Sequence, residues 1–324
     1  MPHVYFYEAF AEEAEALRRL LPARVSAGYT DATIQEAGHA APPADIISIR
    51  TQSQLPPTWA PQLRAILSRS TGYDHLEASA AAVAQPPQLG YLPLYCHRAV
   101  AEHALLLWLA LLRRLPRQVA QFCQFHRDGL TGGECQGRTL AVVGVGNIGR
   151  EVCQIGAALG MQVIGVDRDP RHPEVASHTI DEALAAADVV VCAMDLNSSN
   201  LHYFDAARLA RIKRGAVLVN VSRGELSPST ALLAALESGQ LGGVGLDVYD
   251  HEAPLAVALR TQRHVDDPEV QAALALSRRD DVLCTPHNAF NSIEAVERKS
   301  EHSVQQIEAL LATGQFLWPA PAAS

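Results

Sequence analysis

The sequence predicts an α/β protein of two units, each built on a parallel sheet. Three observations carry the prediction. At 324 residues the chain exceeds one ordinary domain. Short β-like apolar runs alternate with helix-patterned stretches in two successive series, the pattern of strands joined by crossover helices. A glycine-rich turn links a strand to a helix at the start of the second series.

In the first series the strand candidates are "VYFY" (4–7), "RVSAGY" (24–29), "DIISIR" (45–50), "LRAILS" (63–68) and "PQLGYL" (87–92). The stretch "EAFAEEAEALRRLL" (8–21) has a wide apolar stripe and good helix formers, so a helix is expected there. Proline pairs at Pro42-Pro43, Pro56-Pro57 and Pro86-Pro87 punctuate the elements. "AVAEHALLLWLALLRRL" (99–115) reads as a long helix ended by Pro116. It is apolar nearly all round, which predicts burial between two bodies, within the chain or between subunits.

A looser segment (116–138) leads to the second series, with strands expected at "TLAVVG", "MQVIGV", "DVVVCA", "AVLVNVS", "GGVGLDV" and "DVLCTP". The last helix, "SIEAVERKSEHSVQQIEALLA" (292–312), is expected to start after Asn291, with Glu294 completing a capping box. Following the last strand, it is placed to return to the first unit. The expected division is 1–98 plus 290–324 for one domain and 99–289 for the other. The Ala/Pro tail is expected to fray.

Composition narrows the function classes. The chain is 48% hydrophobic with a formal charge of −9, and no stripe of Lys and Arg is present. A nucleic-acid or anionic-membrane surface is therefore not expected. "ALLLWLALL" is far shorter than a bilayer span of about 20 residues. "MPHVYFYEAF" lacks the regions of a signal peptide. Six scattered cysteines without a CxxC pair suit free thiols of a cytoplasmic protein. Thirteen histidines include no HExxH, and no metal site is expected.

The glycine-rich turn is "GVGNIG", with Gly144, Gly146 and Gly149 in G-x-G-x-x-G spacing. Gly144 permits the tight turn, Gly146 lets the backbone approach a pyrophosphate, and Gly149 lets the helix close on the strand. The following strand candidate ends at Asp167, near the expected offset for a carboxylate that accepts from ribose hydroxyls. That predicts NAD over NADP, tempered by Arg168 beside it.

Three further segments end strands of the second series: "VLVNVSRGEL" with Arg223, "GLDVYDHE" with Asp247 and Glu252, and "CTPHNAF" with His287. In an open α/β sheet, ligands bind outside the carboxyl ends of the strands. Arg, Glu and His are thus placed to converge. His287 alone is open to three readings: a core imidazole, a metal ligand or an acid–base group. Asp250 and His251 compete with Glu252 for any role.

Together "RSTGYDH", "YCHRAVAEH", "GVGNIGR", "NVSRGEL", "GLDVYDHE" and "TPHNAF" resemble the NAD-dependent D-2-hydroxyacid dehydrogenases, in their D-lactate-dehydrogenase-like branch. The resemblance covers nearly the whole chain. It implies two doubly wound domains around a cleft, a flavodoxin-like substrate domain and a Rossmann dinucleotide-binding domain, in a homodimer. It makes Arg223 the clamp for the substrate carboxylate, His287 the acid–base group, and Glu252 the partner that orients its ring. It implies amide contacts to the substrate at Thr71 and Gly72, and pocket-lining rings at Tyr95 and Phe290. Asn147, Ile148, Arg150, Val100 and Val221 join the expected cofactor contacts, and Asp247 is expected to bind the nicotinamide carboxamide.

The sequence departs from the family pattern at "DLNSSN" after Met194, at Arg98, and in the long segment 253–280 behind Glu252. Other classes were weighed. Formate oxidation does not need a Glu–His pair, so Glu252 argues against it. Phosphite oxidation lacks its lysine near "STG". A dinucleotide-sensing binding protein could keep the same three residues.

Overall fold

The computed structural model describes residues 2–73, 75–76 and 87–321. Asp74 of the "RSTGYDH" stretch and Pro86 of the third proline pair lie outside them. The chain divides into two compact units, Met1–Cys96 with Asn291–Ser324, and His97–Phe290.

The first unit carries five parallel strands, β1 (Val4–Phe6), β2 (Ala27–Tyr29), β3 (Ile46–Ile49), β4 (Ala65–Ser68) and β5 (Gln88–Gly90). Their order is β2-β1-β3-β4-β5. Every residue of β3 and β4 is buried, as expected for strands covered on both faces. The helix Ala11–Leu20 presents Ala14, Ala16 and Leu17 to the core. The helix Ile34–Ala37 starts on a Thr33–Glu36 capping box and ends on Gly38 in the left-handed region.

The second unit carries seven parallel strands. These are β6 (Thr139–Val143), β7 (Gln162–Val166), β8 (Ala176–Ser177), β9 (Val189–Cys192), β10 (Ala216–Asn220), β11 (Leu241–Leu246) and β12 (Val282–Cys284). Their order is β12-β11-β10-β9-β6-β7-β8, with the direction of winding reversing at β6. The central strands β9 and β10 are wholly buried. The helix His97–Leu112 lies on this sheet, where Gly243 and Gly245 of β11 leave room for Leu111 and Leu107.

Three expectations about element ends need correction. Pro116 does not end the long helix. That helix stops at Leu112, Arg114 turns left-handed at φ 52°, and Pro116 sits in the first turn of a new helix, Leu115–Gln121. A proline is tolerated there because the first-turn amides have no helical acceptor. The last helix, Ile293–Thr313, is capped by Ser292, whose side chain accepts from Ala295 N, so Glu294 completes no box from Asn291. The tail is not frayed as far as Ala320. Gly90 and Pro319 form an antiparallel bridge, Ala320 N donates to Leu89 O at 2.8 Å, and Phe316 lies against Gly90. The edge of β5 is thereby covered; residues 322–324 lie outside the described part.

No described helix is long and apolar enough to cross a membrane. No described group of three or more His, Cys, Asp or Glu residues could hold a metal ion.

Candidate active site

Gly144, Asp167, Arg223, Asp247 and His287 sit just beyond the carboxyl ends of β6, β7, β10, β11 and β12. The reason begins with β6. Gly144 follows it at φ +91°, a backbone shape that a side chain resists, and a Cβ there would lie 2.5 Å from Met194 N. Gly149 closes the helix Asn147–Ala158 onto the turn, since its Cβ would meet Gly144 O at 1.9 Å. A Cβ on Gly146 would meet no protein atom within 4 Å. That helix has no side-chain cap, so its first amides stay available to an anion. The residues fit a dinucleotide pyrophosphate.

Asp167 follows β7 and fixes the loop from the other side. Its Oδ2 accepts from Val145 N at 2.6 Å and its Oδ1 from Asp169 N at 2.9 Å. A small depression lined by Val145, Asp167, Pro170, Arg171, His172 and Val175 adjoins it. Arg150 Nε is engaged by Glu174 at 2.9 Å rather than by the loop. Ile148 is half-buried, Asn147 is exposed, and Val100 and Val221 are buried.

Arg223 lies between β10 and a short 3-10 turn, Gly224–Leu226. Asn220, fully buried, staples this loop: its Nδ2 donates to Arg223 O at 2.8 Å and Ser227 Oγ at 2.7 Å, and its Oδ1 accepts from Ser222 N at 3.0 Å. A Cβ on Gly224 would meet Tyr249 C at 1.8 Å, so the Arg223 loop lies directly on the backbone leading to Glu252. Arg223 Nη1 donates to Ser222 O at 2.9 Å.

His287 Nδ1 lies 2.9 Å and 3.0 Å from the two oxygens of Glu252. The carboxylate fixes the proton on Nδ1, leaving Nε2 as the atom that can give or take one. Both side chains are partly buried, at 25% and 29% exposure, which keeps the pair reachable and its field only partly screened. His287 sits at φ 51°, an unusual backbone for a non-glycine residue and one often held at working sites.

What holds that loop is Asp247, 1% exposed. Its Oδ1 accepts from Thr285 Oγ1 at 2.6 Å and Asn288 N at 2.8 Å, and its Oδ2 from Ala289 N at 2.8 Å. His103 Nε2 bonds Thr285 Oγ1 at 3.0 Å. Tyr249 donates to Thr285 O at 2.8 Å; burial pushes its phenol well above the usual range. Asp247 therefore braces the His287 loop.

The competition beside Glu252 is resolved by the same geometry. Asp250 is buried, with Oδ2 3.3 Å from His202 Nε2, and His251 pairs with Asp267 at 2.6 Å. Only Glu252 reaches His287. Phe290, at the end of this unit, is buried. In the first unit, Thr71 Oγ1 lies 3.3 Å from Cys96 Sγ, Ser70 Oγ donates to Gly72 O at 2.7 Å, and Tyr95 is buried. Sequence reasoning missed Asn220, Tyr249, Thr285 and His103. Asn220 carried a signal, an amide at the end of an apolar strand before a tight loop; the others carried none.

The chain is similar to proteins of known activity. The family model described as D-isomer specific 2-hydroxyacid dehydrogenase, NAD binding domain, matches residues 105–289. The D-lactate dehydrogenase of Escherichia coli (strain K12) is 30% identical over 258 residues, 76% of each chain. That of Leuconostoc mesenteroides subsp. cremoris is 31% identical over 236 residues, 70% of each chain. A solved structure of D-lactate dehydrogenase from Aquifex aeolicus, complexed with NAD and lactic acid, superposes with a TM-score of 0.84 at 26% identity. It spans 98% of this chain and 100% of that one.

Proposed function

The chain belongs to the D-isomer specific 2-hydroxyacid dehydrogenase family, and from that premise we propose that it reduces a 2-oxo acid to the D-2-hydroxy acid, with His287, Glu252 and Arg223 as its working residues. It is an NAD-dependent dehydrogenase with NAD as cofactor. The reduced cofactor, when bound, supplies the hydride.

Each residue's part follows from its chemistry. His287, protonated on both nitrogens, gives the Nε2 proton to the 2-oxo oxygen of the substrate and takes it back in the oxidising direction. Glu252 holds Nδ1–H and fixes the ring's orientation, so that Nε2 faces the reacting oxygen. Arg223 offers a planar fork that matches a carboxylate bidentately and so orients the 2-oxo group. Asn220 and Asp247 keep these two loops in place from below. The observation that carries the reading is the Glu252–His287 pair, beside the Arg223 loop and on the same sheet edge as the pyrophosphate turn.

Thr71, Gly72, Tyr95 and Phe290 are proposed as substrate contacts on the family motifs alone. The homodimer is proposed on exposed apolar side chains of consecutive helical segments: Leu106, Leu109, Leu115, Val119, Phe122 and Phe125. Cytoplasmic residence is proposed on six free cysteines.

The test is His287→Ala. Its turnover is expected to fall by roughly 10²- to 10⁴-fold while NADH affinity, followed by fluorescence, holds within about twofold. Parallel loss of both would mean that His287 supports the cofactor site rather than the proton transfer.

A further inference from the structure

Glu252 opens a helix, Glu252–Thr261, that packs with a second helix, Pro268–Leu276, through Leu255, Ala258, Val270 and Ala273. These four form a small core of their own, with Tyr249, Val265 and Leu274 at its margin. This is the long segment behind Glu252. The second helix is anchored in the unit, with Leu276 in its main core, whereas the first buries only Leu255 and Ala258, so the polar joints of the first helix matter.

One such joint lies one residue from Glu252. His251 is the N-cap of the first helix in left-handed conformation, at φ 54° and ψ 44°. Its Nδ1 bonds Asp267 Oδ2 at 2.6 Å. Asp267 divides its oxygens: Oδ1 accepts from Glu269 N at 2.9 Å and Val270 N at 3.2 Å and caps the second helix, while Oδ2 faces the imidazole. On the other side His251 N donates to Asp250 Oδ1 at 3.0 Å, and buried Asp250 also faces His202. A further tie holds the second helix to the unit, Thr230 Oγ1 to Glu269 Oε1 at 2.5 Å.

We propose, on the reading that Glu252 orients His287, that His251 and Asp267 form a latch that positions Glu252 by tying the start of the first helix to the cap of the anchored second helix. His251 touches neither substrate nor cofactor in this account; it is a positioning residue. The latch is charge-assisted. The groups facing the ring are Asp250 on the loop, and Asp267 and Glu269 on the second helix, with Glu252 its neighbour in the chain. Its bond to Asp267, then the nearby carboxylates, raise the His251 pKa above the ordinary value. The latch is therefore fully charged between the lowered Asp267 pKa and the ordinary imidazole value, and it loosens as pH rises past the raised His251 value. Loosening lets Glu252 leave Nδ1, and the His287 ring loses the bond that orients it.

The variants are chosen to spare the fold. His251→Asn keeps a residue that tolerates the left-handed backbone, and Asp267→Asn keeps an oxygen for the cap. In the full-length protein, imidazole ¹⁵N spectra identify His287 by its loss in His287→Ala. The His287 Nδ1 signal is expected to move in both variants and in the double variant alike. NADH-driven reduction of the most active acid among pyruvate, 2-oxobutyrate, phenylpyruvate, glyoxylate and hydroxypyruvate is expected to fall about tenfold in kcat, with KM for NADH unchanged. The double variant should lose no more than either single one. An unmoved His287 signal, or single-variant losses that add, would overturn the latch. Absence of turnover by the wild type on all five acids would fail the functional reading instead, and the spectra would still decide the latch.

Discussion

His251 shows how finely the site depends on single backbone turns. Asp250, His251 and Glu252 are consecutive, and each could ionise; the left-handed residue between the two carboxylates sends Asp250 inward and Glu252 to His287. At this scale two substitutions are informative. Arg223→Lys keeps the charge but loses the planar fork, so kcat/KM for the 2-oxo acid should drop by about 10- to 100-fold. An unchanged kcat/KM would remove the clamp from the account. Asp167→Ala should admit NADPH, because the carboxylate that repels a 2′-phosphate is gone; the ratio of kcat/KM with NADPH to that with NADH measures it. If the ratio does not rise, Asp167 serves only to hold Val145 N and the glycine turn. Much of this scale was legible. Gly144, Gly146, Gly149 and Asp167 announce themselves by spacing, because backbone sterics demand those residues. Arg223 and His287 lie just past the strands that their apolar runs announce, and Glu252 opens the helix after β11. Asn220 and Asp247 were not understood as braces, because hydrogen bonds across a loop leave no periodic trace.

Among elements, strand positions followed from runs of buried β-branched residues in β9 and β10, where burial on both faces makes the pattern unambiguous. Ends were less legible. Pro116 reads as a stop, yet it starts a helix, since the break comes from the left-handed Arg114 two residues earlier. The first unit also hides a polar core that no pattern signals. Glu13 Oε1 accepts from Arg69 Nε at 2.8 Å and Lys299 Nζ at 2.9 Å, all three side chains fully buried, joining the first helix, β4 and the last helix. Burial alone would raise the Glu13 pKa, but Arg69 and Lys299 outweigh it and hold it at about 2. A folded-state pKa below the unfolded one means stability that is present above about 4.5 and lost as pH falls toward 2. Glu13→Gln strands two buried cations and should destabilise the protein by about 3–5 kcal/mol in denaturant unfolding. It should also flatten the acid dependence between those pH values. A variant as stable as the wild type would mean that the cations find other partners.

At the scale of the molecule, the long helix His97–Leu112 was expected to be buried on all sides. Its sheet-facing residues are, but Leu106 is 57% exposed, and the segment after it exposes Phe122 at 75% and Phe125 at 71%. A second copy of the chain is the covering this account proposes. Phe122→Glu with Phe125→Glu should convert a dimer to a monomer in sedimentation, without loss of NADH binding. A wild type that sediments as a monomer at micromolar concentration would end that proposal. The composition pointed to such a surface through the all-round apolar pattern, but a single sequence does not say which side faces another chain.

The most direct test of the central claim is NADH oxidation by the purified protein against pyruvate, 2-oxobutyrate, phenylpyruvate, glyoxylate and hydroxypyruvate, with chiral analysis of the product wherever it has a stereocentre. The account predicts turnover on at least one acid, a D-configured product, and near-abolition in His287→Ala. NADH that binds but is consumed no faster than by His287→Ala, or an L-configured product, would contradict it.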